Sequence, residues 1–242
     1  MAMSAEPARE TIPYTQFAQL REGRAIVRAG ANALQKAAEG LGEDFCQAVM
    51  LLAECRGRVV VSGVGKAGRI GRKLVATLSS TGTPAQFLHP VEAIHGDVGC
   101  LGEEDVVVAL SNSGASDEGV ALLPLLARRS IPLVAITADD KSTLGRAAQV
   151  VVEIGRFAEA GGEGLAPTTS TTVMLAVGDA LALVASRMRG FTREDFARCH
   201  PAGSLGRRLA DVGEVMRRDD QLRIADLHTT VRDVFATLAR PG

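Results

Sequence analysis

Apolar positions along this chain follow two alternating kinds of pattern. Unbroken runs, VVVS at 59–62, VVVAL at 106–110, IPLVAIT at 131–137 and VVVEI at 150–154, read as strands covered on both faces, and PAQFLH at 84–89 is a shorter candidate. Between them apolar residues recur at helical spacing. Phe17, Leu20, Ile26, Val27, Leu34 and Leu41 predict a helix over 16–41 that Gly40 and Gly42 close, and EDFCQAVMLLAEC predicts a second with Gly57 as its C-cap. A tight loop at 63–68 leads to a helix face of Ile70, Leu74 and Leu78. EGVALLPLLARR starts a helix near Asp117 and Glu118, a short one follows around 141–148, and TTSTTVMLAVGDALALVASRMR forms a long one that Gly190 ends. VEAIHGDVG is a loop or a short helix. Beyond Gly190, TREDFARC reads as a helix capped by Thr192 with Asp195 three residues on, and it delivers His200. Strands and helices alternating in this way predict a three-layer αβα sandwich on a parallel sheet, with ligands at the C-terminal strand ends. Whether the two leading helices cover that sheet or pair with another subunit is open.

Composition narrows the classes. At 242 residues the chain is one large domain, or a domain and a fragment, and a net charge of -1 offers no electrostatic ground for nucleic acid or an anionic membrane as partner. No stretch provides about 20 uninterrupted apolar residues, and the N-terminal segment has no apolar run to serve as a signal peptide. Cys46, Cys55, Cys100 and Cys199 form no CxxC pair, which suits reduced thiols in a cytoplasmic protein, and the first three sit in apolar segments as core fillers. Residues 1–15 read as a loose tail, and 210–242 is too short for a core of its own.

The candidate chemistry gathers where strands end. VVVAL stops in Ser111, Asn112, Ser113, Gly114 and Ser116 before a helix begins, so backbone N–H groups, dipole and neutral hydroxyls would together hold an anion. Thr168, Thr169 and Ser170 repeat that arrangement at the long helix, and two such starts on one sheet suit a phosphosugar. Gly63-Val-Gly65-Lys-Ala-Gly68 matches the GxGxxG dinucleotide pattern, making a nicotinamide oxidoreductase the first rival. The acidic residue expected about 20 positions on is missing, since PAQFLH ends in His89 and the nearest acid, Glu92, lies beyond Pro90. No GxxxxGK[ST] phosphate loop is present. Lys66 at a strand end suits a phosphate or a developing oxyanion, and His95 and His200 lie among loop-forming small residues. His89 reads as structural and His228 as solvated. Glu118 is either a first-turn charge or a site carboxylate, and Glu159, in a long glycine-rich loop, is the stronger functional candidate. No spacing supports a metal site.

SGVGKAGRIGRKLVATLSSTGTPA, HPVEAIHGDVG, LSNSGASDE, LAPTTSTT, GDALA and RGFTREDFARCHPAGSLGRRL, in this order over roughly residues 20–220, resemble the D-arabinose 5-phosphate isomerases of the sugar-isomerase (SIS) domain family. That resemblance implies a flavodoxin-like five-stranded parallel sheet between helices over 16–209, a homotetramer, no cofactor and no metal. It implies isomerisation of D-arabinose 5-phosphate to D-ribulose 5-phosphate for the 3-deoxy-D-manno-octulosonate branch of lipopolysaccharide synthesis. The implied catalytic positions are Lys66, His95, Glu118, Glu159 and His200. The implied phosphate ligands are Ser111, Ser113, Ser116, Thr168 and Thr169, joined by Ser62 and Gly63. Glu159, with a pKa raised by desolvation, takes the carbon proton and His200 the hydroxyl proton, although these two roles are exchangeable. His200 is expected to reach the site across a subunit interface. Many relatives continue into paired CBS domains, of which EVMRRDDQLRIADLHTTVRDVFATLARPG resembles only the opening. Another phosphosugar as substrate, or a non-catalytic sugar-phosphate sensor, stands as the alternative.

Overall fold

Five short strands, β1 (Val59–Gly63), β2 (Ala85–Leu88), β3 (Val106–Leu110), β4 (Leu133–Thr137) and β5 (Val150–Glu153), form one parallel sheet in the order β2-β1-β3-β4-β5. The register runs Val59 to Val106 and Gly63 to Leu110 across β1 and β3, then Val107 to Leu133 across β3 and β4. In this computed structural model residues 14–200, 212–217, 222 and 225–238 are described. The chain divides into a unit ending at Phe191 and a second beginning at Thr192.

The apolar runs lack polar alternation because helices cover both faces of the sheet. Val59, Val61, Val106, Val108, Val134 and Ile136 pack beneath α1 (Gln16–Gly40), α2 (Glu43–Glu54), α3 (Gly65–Ser80) and α7 (Thr169–Met188). Their neighbours Val60, Val107, Leu133 and Ala135 face α4 (Pro90–Ile94), α5 (Asp117–Arg128) and α6 (Thr143–Ala147) on the opposite side. The expected three-layer αβα sandwich is therefore the observed architecture. By length and composition α7 is apolar enough to cross a membrane, yet it buries Val173, Met174, Val177 and Leu181 against the core. At Gly178 a Cβ would lie 3.4 Å from Leu74, which is how closely α7 and α3 approach.

Four local expectations need correction. Most of the 63–68 loop is helix: α3 begins at Gly65, and Val64 is its N-cap. Gly57 is not the C-cap of α2, which is Cys55. It is glycine because Glu104 and Asp105 pass so near that a Cβ would lie 2.3 Å from the Asp105 carboxylate. Cys55 is buried as expected, but Cys46 and Cys100 are exposed because each falls on the outer side of its turn of helix. Of the two leading helices, α2 buries Ala48, Val49 and Leu52, whereas α1 buries only Ala33 and Ala37 and leaves Phe17, Leu20 and Val27 more than half exposed.

The second unit holds α8 (Arg193–Cys199), α9 (Val212–Val215) and α10 (Val231–Leu238). The Thr192–Asp195 capping box is formed, with each side chain taking the other's backbone N–H. Residues 1–13 of the expected tail and 201–211, which contain the proline and glycines after His200, lie outside the described residues.

Candidate active site

After β1 the chain leaves toward one face of the sheet as α3, and after β3 toward the other as α5. Strand ends that part in this way open a crevice. Ser62, Gly63, Val64, Pro90, Ser111 and Ser116 line it, together with apolar residues that include Leu122, Leu126 and Leu144.

The 111–116 loop is held from behind. Ser111 N–H donates to Ile136 O (3.1 Å), Ala138 N–H to Asn112 O (3.1 Å) and Leu144 N–H to Gly114 O (2.9 Å). Gly114 has φ +61°, and a Cβ on it would lie 2.0 Å from Ser142 Oγ, so only glycine lets the loop rest on the start of α6. The Ser111 and Ser113 hydroxyl oxygens accept from Gly114 and Ala115 N–H at 3.1 and 3.3 Å, which leaves each hydroxyl proton free to donate. The Ser116 side chain takes no backbone N–H at the start of α5. Among the described residues no acceptor takes the N–H groups of Asp117, Glu118 or Gly119. This helix start is an open set of donors.

Across the crevice the picture is different. Ser62, 1% exposed, donates its hydroxyl to Leu88 O at 2.8 Å. Its side chain ties β1 to β2 and has no proton for a phosphate, which corrects the expectation of a ligand hydroxyl there. Gly63 is buried against the backbone, with Leu110 O 3.0 Å from where its Cβ would stand. Lys66 lies exposed in the first turn of α3, where the helix dipole disfavours a cation by roughly 0.3–1 kcal/mol. A bound anion would reverse that penalty. Glu118 is exposed in the first turn of α5, and His95 is the exposed C-cap of α4.

Glu159 has an unexpected partner. Its carboxylate accepts from Thr168 N–H (2.8 Å), Ser170 N–H (3.2 Å) and Thr168 Oγ1 (3.3 Å), and also from the Ser170 hydroxyl. Burial pushes the carboxyl up, but the Ser170 hydroxyl, the Thr168 and Ser170 N–H groups and the Thr168 hydroxyl together outweigh it and hold the pKa below the usual glutamate value. The expected upward shift is therefore reversed. The second hydroxyl-rich helix start is filled from within: Thr168 and Thr169 Oγ1 accept from Ala160 N–H at 3.0 and 3.1 Å, and the anion at α7 is Glu159 itself.

In the second unit His200 is the C-cap of α8, with its ring stacked on Phe196 at 4.0 Å between centroids. Nδ1 lies 2.9 Å from Phe196 O. A carbonyl only accepts, so Nδ1 carries the proton and Nε2 offers a lone pair in the neutral ring. Among the described residues no three His, Cys, Asp or Glu side chains gather as a metal site would require. Of the expected site residues the crevice thus brings together Ser62, Gly63, Ser111 and Ser116, and behind Gly114 the structure shows Ser142 as a support that sequence reasoning missed. Its only signal there was an unremarkable helix cap.

Comparison with known proteins adds the chemistry of relatives. The SIS domain family matches residues 51–184. The chain is 46% identical over 226 residues to arabinose 5-phosphate isomerase GutQ of Escherichia coli (strain K12), covering 93% of this chain and 70% of that one. It is 44% identical over 229 residues to arabinose 5-phosphate isomerase KdsD of Salmonella typhi, covering 91% and 70%. The structure of E. coli CFT073 c3406 in complex with A5P superposes with a TM-score of 0.75 at 40% identity, over 77% of this chain and all of that one.

Proposed function

The chain belongs to the SIS domain family, and on that premise we propose that it is an aldose-ketose isomerase interconverting D-arabinose 5-phosphate and D-ribulose 5-phosphate. The observation that carries the reading is the open donor set of the 111–116 loop and the α5 N-terminus, in a chain this similar to two arabinose 5-phosphate isomerases. Ser111, Ser113 and Ser116 with the first N–H groups of α5 hold the phosphate, so binding energy at one end of the substrate orients the other.

The reaction moves one proton from C2 to C1 and another from O2 to O1 through a cis-enediol. Glu159 is ionised at neutral pH and takes the carbon proton, returning it at C1. His200, with Nε2 available, shuttles the hydroxyl proton. The depressed pKa makes Glu159 a weaker base than burial alone would, so its action requires release from the Ser170 and Thr168 donors. Lys66 stabilises enediolate charge, and His95 and Glu118 orient the sugar. Assembly as a homotetramer, with His200 supplied across an interface, belongs to the same reading, and the uncovered apolar residues of α1 support it. So do a cytoplasmic location and supply of the octulosonate branch.

The test is turnover of D-arabinose 5-phosphate to D-ribulose 5-phosphate, with and without a chelator. Chelator-insensitive turnover supports the isomerase, and Lys66→Ala and His200→Ala each then lose ~10²-fold or more in kcat while staying folded. Ligand-induced thermal stabilisation without turnover would replace the enzyme with a sugar-phosphate sensor, and no binding would overturn the substrate.

A further inference from the structure

Beyond the glycine connection, on the side away from the serine loop, a cavity of about 260 Å³ lies between α3 and β2. Its floor is Gly63 and Gly68, and its walls are Arg69, Arg72, Phe87 and His89. Gly63 lines this cavity and the substrate crevice alike. The polar side chains that line it are Arg69, Arg72 and His89, and none of them is a carboxylate. Arg69 and Arg72 are three residues apart on one side of α3, an arrangement that costs repulsion unless an anion answers it. His89 Nδ1 accepts the Val91 N–H at 3.3 Å, so the neutral ring carries its proton on Nε2.

The contrast with the next cation is informative. Lys73 is paired with Asp179 of α7 across the helix interface. Among the described residues the ion pairs join Lys73 to Asp179, Arg156 to Asp139 and Arg198 to Asp195, and none includes Arg69 or Arg72. Arg72 instead stacks over the Phe87 ring, 4.3 Å from guanidinium carbon to ring centroid, and that ring meets His89 edge-on at 6.4 Å. An aromatic face under a guanidinium leaves the planar N–H fork pointing outward, in the geometry that grips a carboxylate or phosphate with two parallel bonds.

We propose that this cavity is a second oxyanion site, which takes a carboxylate or phosphate on the sugar end of a ligand whose phosphate occupies the serine loop. The inference rests on the phosphosugar reading of that loop and extends it to ligand class. D-Arabinose 5-phosphate carries only hydroxyl and carbonyl groups at that end and leaves the arginines unanswered. Phosphosugar acids and sugar bisphosphates would fill both sites, and so bind as inhibitors that outcompete the monophosphate substrate.

The experiment compares D-ribulose 1,5-bisphosphate with D-arabinitol 5-phosphate, both as inhibitors of isomerisation and by titration calorimetry on the whole chain. The bisphosphate is expected to bind ~10-fold or more tightly than the monophosphate, a gain expected of two charge-assisted contacts. In Arg69→Gln with Arg72→Gln the two ligands should bind within about twofold of each other, with kcat/KM for D-arabinose 5-phosphate unchanged. Arg69→Gln alone, in which the Arg72–Phe87 contact stays intact, should lose part of the preference and keeps the test open if the double variant misfolds. Equal binding of the two ligands by the unaltered chain, or a preference that survives in the double variant, overturns the second site. Absence of turnover would sink the isomerase instead, and calorimetry would still decide this question.

Discussion

Two helices start at hydroxyl-rich loops on the same sheet, and their N-termini have opposite fates. The α5 start keeps its donors open, with the Ser111 and Ser113 protons free and the first N–H groups untaken among the described residues. The α7 start is filled by Glu159, which accepts from Thr168 and Ser170. Both pose the same demand, for a negative charge where the dipole is positive and N–H groups lack partners. One meets it with the protein's own carboxylate, and at the other no group among the described residues meets it. The difference lies in the preceding loop. The 155–167 loop carries Glu159 back over α7, whereas the 111–116 loop is only six residues long and clamped by β4 and α6.

The strongest test of this division is Glu159→Gln. The amide oxygen still accepts from Thr168 and Ser170 N–H, so the cap survives in part, but the amide cannot take a carbon proton. We expect kcat to fall by ~10²–10⁴-fold with the melting temperature little changed, measured by coupled assay and thermal denaturation. Activity within tenfold of the unaltered chain would move the base to His200. Next in size is Gly114→Ala. Its Cβ would collide with Ser142 in a left-handed backbone conformation, so the loop must shift off α6. KM is expected to rise by ~10-fold or more, with stability falling by roughly 1–3 kcal/mol. An unchanged KM would mean that the loop does not hold the phosphate.

The sheet and its helices were legible because unbroken valine runs have one common explanation, burial on both faces. Ser111, Ser113 and Gly114 were legible because a strand ending in small hydroxyl residues before a helix is a local pattern. The role of Ser62 was not: its neighbour Leu88 lies 26 residues away, and nothing in sequence says that the hydroxyl is spent on that carbonyl. Nor was the state of Glu159 legible. Desolvation and hydrogen bonding act on its pKa in opposite directions, and their balance depends on where the loop folds back. Cys46 and Cys100 failed for a related reason, since an apolar neighbourhood in sequence does not fix which side of a turn faces solvent.

A smaller effect separates the filled terminus from the open one through pH. The folded pKa of Glu159 lies below its unfolded value, so its stabilisation is fully present above the ordinary glutamate pKa of about 4.3. It is lost as the pH falls from there through the lower folded value, because the unfolded chain takes up the proton first. Glu159→Gln lacks this component, so its stability deficit in urea denaturation should shrink between pH 6 and pH 3. A deficit constant over that range would mean that the carboxylate is not held by the α7 donors.

The smallest expected effect on stability is that of Ser113→Ala, and it addresses the open terminus alone. Ser113 is exposed, and its oxygen accepts a single long bond from Ala115 N–H, so its loss should change stability by under about 0.5 kcal/mol. A neutral hydroxyl donating to a charged phosphate contributes about 1.5–3 kcal/mol, which predicts a KM raised ~13- to 160-fold with kcat retained. The matched change on the filled side is Thr168→Ala, which removes a hydroxyl bonded to Glu159 and Ala160. It should lower kcat and stability more than it raises KM, because its partner is the protein's own carboxylate. The pair therefore reads the division directly from steady-state kinetics. KM unchanged in Ser113→Ala but raised in Thr168→Ala would reverse the two assignments and put the phosphate at α7, with Glu159 displaced by the substrate.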